Sequence, residues 1–301
     1  MHRSRHRIPG TLTLLGLLAA VLLFSACGKS ITGSSDGGRN HAVIVGVSSY
    51  RVPSFNLNYA AKDAGDYRAA LIAGSNWDPS TITTLLNGQA TRDAIISAIN
   101  SVGGSLSSGD KFVFYFSGHG TKGPDVDPID EADGLDEYIV PHDALSNSHA
   151  NDIRDDELEL IIASLPTRNV LVVLDSSFSG GMIKSRMTLN GKVKYIDRGI
   201  SVTSQAASVD GMFKDLDVVP GIITQTASAA NESPIESSTL RNGVFTFFLV
   251  EGMAGPANPG EAVITAQQSF AYAAPRSTAF FSGMHPQQRD NRGSQYTLVI
   301  K

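Results

Sequence analysis

Two short glycine-rich turns carry the side chains that could do chemistry together. Ser117-Gly-His-Gly places His119 directly after an apolar run, and Asp175-Ser-Ser-Phe-Ser-Gly-Gly places Ser177 directly after another. An imidazole can serve as a general base, and a hydroxyl that gives its proton to such a base can attack a carbonyl carbon. Serine enzymes usually orient that base with a carboxylate. If the two turns lie side by side, the pair indicates peptide-bond or ester chemistry.

Both turns follow predicted buried strands, because Lys111–Phe116 and Val170–Leu174 are short, continuous apolar runs rich in β-branched and aromatic residues. Further strands are predicted at 42–47, 81–86, 221–226 and 296–300, the last at a sheet edge, and helices at 58–73, 91–102, 154–164 and 242–252. Asn58 and Thr91 are the expected N-caps. Residues 182–220 show no such pattern and are expected to be irregular and mobile.

The alternation of strands and helices predicts an α/β fold, with a mostly parallel sheet and helices on both faces. Functional residues of such sheets gather beyond the carboxyl ends of the strands. His119 and Ser177 both lie at such positions. The fold therefore predicts that they share one site.

The turns resemble the histidine and cysteine loops of the caspase, metacaspase and paracaspase family. That family's second loop reads Asp-x-Cys-x-Ser-Gly, so Ser177 stands where the family has its nucleophilic cysteine. Four further segments, in the same order, resemble metacaspase-like domains: 45–47 with 58–64, then 133–138, 153–158 and 243–252. The resemblance covers residues 40–300. It implies a caspase-like three-layer sandwich and a cysteine-type endopeptidase ancestry, with the amides of Gly120 and Ser177 binding the oxyanion.

Ser177 changes the expected activity. A free thiol has a pKa of about 8.5 and is partly ionised near an imidazole, whereas a hydroxyl is far less acidic. We therefore expect a pseudo-peptidase that binds peptides or a partner protein but hydrolyses little. The alternative is an active endopeptidase that cleaves after basic residues, either through a Ser177–His119 dyad or because the natural residue at 177 is cysteine.

Two aspartates bear on specificity. By the resemblance, Asp63 and Asp175 line the pocket that takes an Arg or Lys side chain before the cleaved bond, and carboxylates suit such cations. The alternative is a solvated helix residue and a turn former. Lys184 and Arg186 follow the Ser177 loop, where relatives are often self-cleaved. With serine at 177 we expect no such cleavage.

The expectation for cofactors is none, with calcium as a weak alternative. Some metacaspases bind calcium through aspartates, and Asp155 and Asp156 resemble part of that cluster, with hard oxygen ligands that suit the ion. The aspartate expected shortly after the nucleophile is missing from residues 181–185. The acidic stretch 125–137 is otherwise explained as a solvated loop. The resemblance to metacaspases favours a monomer.

The N-terminus predicts export and a lipid anchor. Basic residues precede an uncharged apolar run at 12–24, and the small residues Ser25 and Ala26 precede Cys27. This order resembles the lipobox of bacterial lipoproteins, whereas an ordinary signal peptide or an uncleaved anchor is the alternative. We expect a signal peptide at 1–26, a lipidated Cys27 with a flexible tether at 27–39, and the peptidase domain at 40–301. The domain then lies in the periplasm or at the cell surface, on the outer membrane in a Gram-negative host.

Composition excludes two other designs. Cys27 is the only cysteine, so the exported domain can contain no disulfide. The net charge of -5 and the absence of a basic run argue against a nucleic-acid partner. The expected partners are therefore peptide or protein segments that carry Arg or Lys, together with the membrane.

Overall fold

The computed structural model describes residues 38–126, 134–177, 191–198, 219–229 and 232–301. Cys27, Lys184 and Arg186 lie outside the described residues. The main strands are β1 Asn40–Gly46, β2 Ile82–Leu86, β3 Lys111–Ser117, β4 Gly120–Pro124, β5 Leu135–Ile139, β6 Ile153–Arg154, β7 Asn169–Asp175, β8 Ile222–Thr226, β9 Glu236–Ser237, β10 Asn242–Gly243, β11 Val263–Thr265, β12 Gln287–Asp290 and β13 Thr297–Ile300. The helices are α1 Ala60–Ile72, α2 Arg92–Gly103, α3 Asp155–Ala163, α4 Val244–Met253 and α5 Ala266–Phe280.

The central sheet is mostly parallel, as predicted. Its strand order is β12-β8-β7-β3-β1-β2, and among these pairings only that of β12 with β8 is antiparallel. β3 and β7 are neighbours at the centre, and both are buried except at their first residue. Their carboxyl ends therefore meet at one edge of the sheet.

Two apolar layers cover the faces of this sheet. Alternate side chains of β3, such as Phe112 and Phe114, pack with α2 and α3 on one face. The intervening ones, Val113 and Tyr115, pack with α1, α4 and α5 on the other. The period-two alternation of a strand explains why each strand feeds both cores. The caspase-like three-layer sandwich is confirmed.

The element boundaries correct two sequence predictions. Thr91 caps α2 as predicted, with its side chain accepting from the amide of Ala94, but Asn58 does not cap α1, which begins after Tyr59. The C-terminal strand pairs with β11 and not with the central sheet, whose edge is β12. Residues 191–198 are irregular, as predicted, apart from two isolated bridges at Val193 and Tyr195. None of the described helices has both the length and the apolar character needed to cross a membrane.

Candidate functional site

The two turns predicted to hold the chemistry lie side by side. β3 and β7 pair in parallel with Ser117 opposite Asp175, so His119 and Ser177 each follow two residues beyond the same level of the sheet. Both side chains are buried. After His119 the chain turns into the antiparallel β4-β5-β6 sheet, which forms one wall of the cleft.

His119 is held in one tautomer. Its Nε2 lies 2.7 Å from the carbonyl oxygen of Phe55, and because a carbonyl can only accept, Nε2 carries the proton. Nδ1 makes no hydrogen bond to any described residue. Burial lowers the pKa of His119 to about 4, although the hydrogen bond to Phe55 opposes this shift. The ring is therefore neutral at pH 7, with Nδ1 as its unprotonated nitrogen.

The Ser177 hydroxyl does not engage that nitrogen. Its oxygen donates to the carbonyl of Glu232 at 3.1 Å and lies 2.9 Å from the hydroxyl of Ser233. A serine nucleophile requires a hydrogen bond to its base, and Nδ1 of His119 accepts none from the described part of the chain. In this geometry the Ser177 hydroxyl contacts Glu232 and Ser233, and no hydrogen bond joins it to Nδ1 of His119.

The amides of Gly120 and Ser177, expected to bind the oxyanion, converge on one oxygen atom. The Gly120 amide donates to the carbonyl oxygen of Lys194 at 3.1 Å, and the Ser177 amide donates to the same oxygen at 3.2 Å. Two backbone donors aimed at one carbonyl are the arrangement that stabilises a tetrahedral oxyanion. The carbonyl of Lys194 thus lies where that of a cleaved residue would lie.

The side chain of Lys194 fills an acidic pocket made by Asp63 and Asp175. Nζ lies 3.0 Å from Asp63 Oδ2 and 2.9 Å from Asp175 Oδ1, and all three side chains are fully buried. Burial alone would lower the pKa of Lys194, but the carboxylates of Asp175 and Asp63 outweigh it and raise the pKa above its ordinary value. Burial also raises the pKa of Asp63, against the opposing effect of Lys194. The pocket is built around a cation.

The carboxylates are fixed by groups from several elements. Ser117 donates to Asp63 at 2.8 Å and accepts from Lys194 at 2.9 Å. The other oxygen of Asp63 accepts from the amide of Gly243 at 2.8 Å, and Asp175 accepts from the hydroxyl of Thr246 at 2.6 Å. A Cβ at Gly243 would lie 2.4–2.8 Å from the charged atoms of Asp175, Lys194 and Asp63. Only glycine fits at this wall of the pocket.

Lys194 belongs to residues 191–198, which we call the cleft strand; the chain bends at Lys194, between isolated bridges at Val193 and Tyr195. Its Val193 pairs antiparallel with Ile235, and its Tyr195 pairs parallel with Gly120. The sequence analysis did not predict this pairing, because Gly-Lys-Val-Lys-Tyr-Ile is not a continuous apolar run and its pairing partners are distant in the chain. The alternation of Lys192 and Lys194 with apolar residues is the one local signal that could have indicated it.

The calcium candidates lie in a second acidic cluster. Asp155 and Asp156 converge with Asp136, with one carboxylate oxygen from each within 4.8 Å of the others. Antiparallel pairing of β5 with β6, with Tyr138 opposite Arg154, brings Asp136 to this place, so sequence alone could not add it. Three buried carboxylates are hard oxygen ligands of the kind that Ca²⁺ takes. Arg154 pairs with Asp156 at 3.0 Å and with Asp136 at 3.4 Å, so a side chain already supplies positive charge there.

The comparisons with known proteins agree with the resemblance. A family model described as metacaspase, peptidase C14 domain, matches residues 40–186. The chain is 34% identical to Metacaspase-2 of Arabidopsis thaliana over 48% of this chain and 35% of that protein. It is 31% identical to Metacaspase-1 of Yarrowia lipolytica over 49% of this chain and 32% of that one. The chain thus spans about a third of the length of these curated relatives.

A solved structure extends the likeness of fold over most of the chain. Protein GSU0716 from Geobacter sulfurreducens superposes with a TM-score of 0.62 and 20% identity, covering 87% of this chain and 97% of that one. At this level of identity the match concerns the fold alone. It extends past residue 186, where the family model ends.

Proposed function

We propose that this chain, which carries a caspase/metacaspase-like peptidase domain, is a membrane-tethered pseudo-peptidase whose cleft binds Lys or Arg side chains of a peptide or partner protein. The observation that carries this proposal is the enclosure of Lys194 between Asp63 and Asp175. A buried pair of carboxylates is costly without a cation, so the pocket discriminates strongly in favour of basic side chains.

The pseudo-peptidase part of the proposal depends on Ser177. Its hydroxyl binds the loop at Glu232 and Ser233, while His119 Nδ1 has no described partner. With a pKa of about 4, His119 is a weak base for a group as reluctant to ionise as a hydroxyl. Both facts favour binding without hydrolysis.

An active endopeptidase is the second candidate, favoured by the paired amides of Gly120 and Ser177. A thiol at position 177 would add the nucleophile to the histidine and the two oxyanion-binding amides. Its thiolate would add to the carbonyl carbon of the residue in the pocket, and the oxyanion would receive the two amides. The peptide C–N bond would then break as His119 protonates the leaving amine, and water would hydrolyse the resulting thioester.

A comparison of four forms of the full chain tests the choice: native, His119→Ala, Ser177→Cys, and Ser177→Cys with His119→Ala. Each is assayed on fluorogenic peptides ending in Arg, Lys or Asp before the reporter. We expect cleavage only by Ser177→Cys and only after Arg or Lys. Cleavage by the native chain that His119→Ala abolishes would reject the pseudo-peptidase. Cleavage after Asp would reject the basic cleft.

Membrane tethering is tested separately, because it rests on the sequence around Cys27. Expressed in a bacterium, the native chain should partition into the detergent phase, and Cys27→Ala should move it to the aqueous phase. Equal partitioning of the two forms would contradict a lipid anchor at Cys27.

A further inference from the structure

From Lys194 onwards the cleft strand buries alternate side chains, as an extended peptide bound along a groove does. Lys194 and Ile196 are buried, and the side chain of Arg198 is only 3% exposed. Asp197 is exposed, and Lys192, two positions before Lys194, is exposed as well, so the buried row begins at Lys194. From Lys194 to Arg198, every second side chain is therefore buried in the groove, and two of these three residues are cations.

Ile196 lies in the middle of this inward row, on the apolar core beside α2 and α3. Its amide donates to the carbonyl of Gly120 at 3.1 Å, and its carbonyl accepts from the hydroxyl of Thr121 at 2.8 Å. Backbone pairing of this kind fixes register without depending on side chains, as in strand addition to a sheet edge. The residue two positions after Lys194 is therefore held in an apolar site.

Arg198 occupies a second cation site, separate from the Asp63–Asp175 pocket. Its guanidinium pairs with the fully buried carboxylate of Asp152 and donates to the carbonyl oxygen of Ser148 at 2.8 Å. It also lies 3.0 Å from the ring Nδ1 of His149. A buried carboxylate beside a carbonyl acceptor is a site built for the fork of donors that arginine presents.

We propose that the cleft recognises an extended segment with a basic residue, an apolar residue and an arginine at positions i, i+2 and i+4, and that the chain's own residues 194–198 occupy this site. This inference rests on the proposed function, since it specifies the ligand of the same cleft. In this pattern the Asp152 site is a second determinant of ligand specificity, besides the acidic pocket of Asp63 and Asp175. An external segment of this pattern binds only where the cleft strand is displaced.

Binding of a fluorescent peptide, Gly-Lys-Val-Lys-Tyr-Ile-Asp-Arg, to the full chain tests the pattern. The native chain should not bind it, whereas a chain with Lys194→Ala and Arg198→Ala, whose own strand has lost both cations, should. Loss of a partner from a buried charge pair weakens binding on the order of thirtyfold. Replacing either the second Lys or the Arg of the peptide with Ala should therefore cost at least that factor.

A peptide of the same composition provides the matched control. Exchanging its last two residues, to give Ile-Arg-Asp, moves the guanidinium to the outward face of an extended strand. This peptide should bind as weakly as the one that lacks Arg. Equal binding of the two isomers would overturn the Asp152 site while leaving the basic pocket intact. If the folded variant with Lys194→Ala and Arg198→Ala binds no basic peptide at all, both this inference and the proposed function fail.

Trypsin digestion of the native chain tests self-occupancy without any substitution. Trypsin cleaves after exposed Lys and Arg in mobile segments, so the bonds after Lys194 and Arg198 should resist it as long as the domain stays folded. Early cleavage after either residue, found by mass spectrometry, would overturn the proposal that these residues fill the cleft. Tight peptide binding by the native chain would overturn it as well.

Discussion

The substitution Lys194→Met tests the electrostatics of the pocket most directly. Methionine keeps the length and apolar stem of lysine but leaves the carboxylates of Asp63 and Asp175 buried without the cation between them. Removal of one partner from a buried ion pair costs about 3–5 kcal/mol. The free energy of unfolding should fall by about that amount at pH 8.

The loss of stability in Lys194→Met cannot exceed the free energy needed to detach the cleft strand, because detachment exposes the buried carboxylates to water. Five backbone hydrogen bonds join its described residues to the rest of the domain, and each contributes about 1 kcal/mol. The two estimates are similar, so part of the variant population relieves the buried charge by letting the strand go. Hydrogen exchange should show this as lost protection of the amides of Lys194 and Ile196 while the amides of β3 and β7 remain protected.

The effect of Lys194→Met should depend on pH. Burial raises the pKa of Asp63 even beside Lys194, and without the cation that pKa rises further. A folded-state pKa above the unfolded value gives stability that is present at low pH and lost as pH rises through the folded pKa. The destabilisation measured by urea unfolding should therefore be larger at pH 8 than at pH 5.5.

Two controls isolate the charge. In the Lys194→Met background, Asp175→Asn removes one of the two unpaired carboxylates and should restore most of the lost free energy of unfolding. In the native chain, Asp175→Asn should not increase the free energy of unfolding. A Lys194→Met variant that loses less than about 1 kcal/mol, equally at both pH values, would refute the buried pair.

Three further predictions follow from the neighbouring groups. Ser177→Ala removes two hydroxyl contacts and should lower the urea-derived stability by about 1–2 kcal/mol, whereas Ser176→Ala, whose hydroxyl has no described partner, should change it little. Gly243→Ala places a methyl group against the charged atoms of the pocket and should cost about 1–3 kcal/mol, seen as a lower melting temperature. The pKa of His119 is about 4 in the folded state and about 6.5 in the unfolded state, so the free energy of unfolding should fall by about 3 kcal/mol as the pH drops from about 6.5 to 4. The variant His119→Asn should lack this dependence on pH.

The sequence predicted those parts of the molecule whose causes are local. β3 and β7 are continuous apolar runs, so they could be predicted as strands with bounds correct to one residue. The position of His119 and Ser177 just beyond the strand ends followed from these bounds. Thr91 caps its helix because the amide it accepts from is three residues on. These features require no knowledge of distant partners.

The wrong and missing predictions share a cause, which is a partner far along the chain. Asn58 was expected to cap α1 with its side chain, but the amides of Asn58 and Tyr59 donate to the carboxylate of Glu236, 178 and 177 residues away. Asp63 and Asp175 were predicted to lie in one pocket from the family resemblance alone. The occupant of that pocket, Lys194, could not be predicted, because pairing with Ile235 and Gly120 creates its position.

Ser177 and the cleft strand explain each other. A nucleophile at 177 would find the carbonyl of Lys194 held by both oxyanion amides and would consume the Lys194–Tyr195 bond. If the chain is the pseudo-peptidase proposed above, its Ser177 hydroxyl leaves this bond intact, and the strand stays joined to the domain at both ends and competes as an intramolecular ligand.

The strength of this competition sets what an external ligand must achieve. If the strand is held by about 4 kcal/mol, the magnitude expected for its buried ion pairs, about one molecule in a thousand has an open cleft. A segment that binds the open cleft with a Kd of about 1 µM then shows an apparent Kd of about 1 mM. A partner that engages this cleft at lower concentration must therefore also bind the displaced strand, because only an added affinity for the open form can offset its rarity.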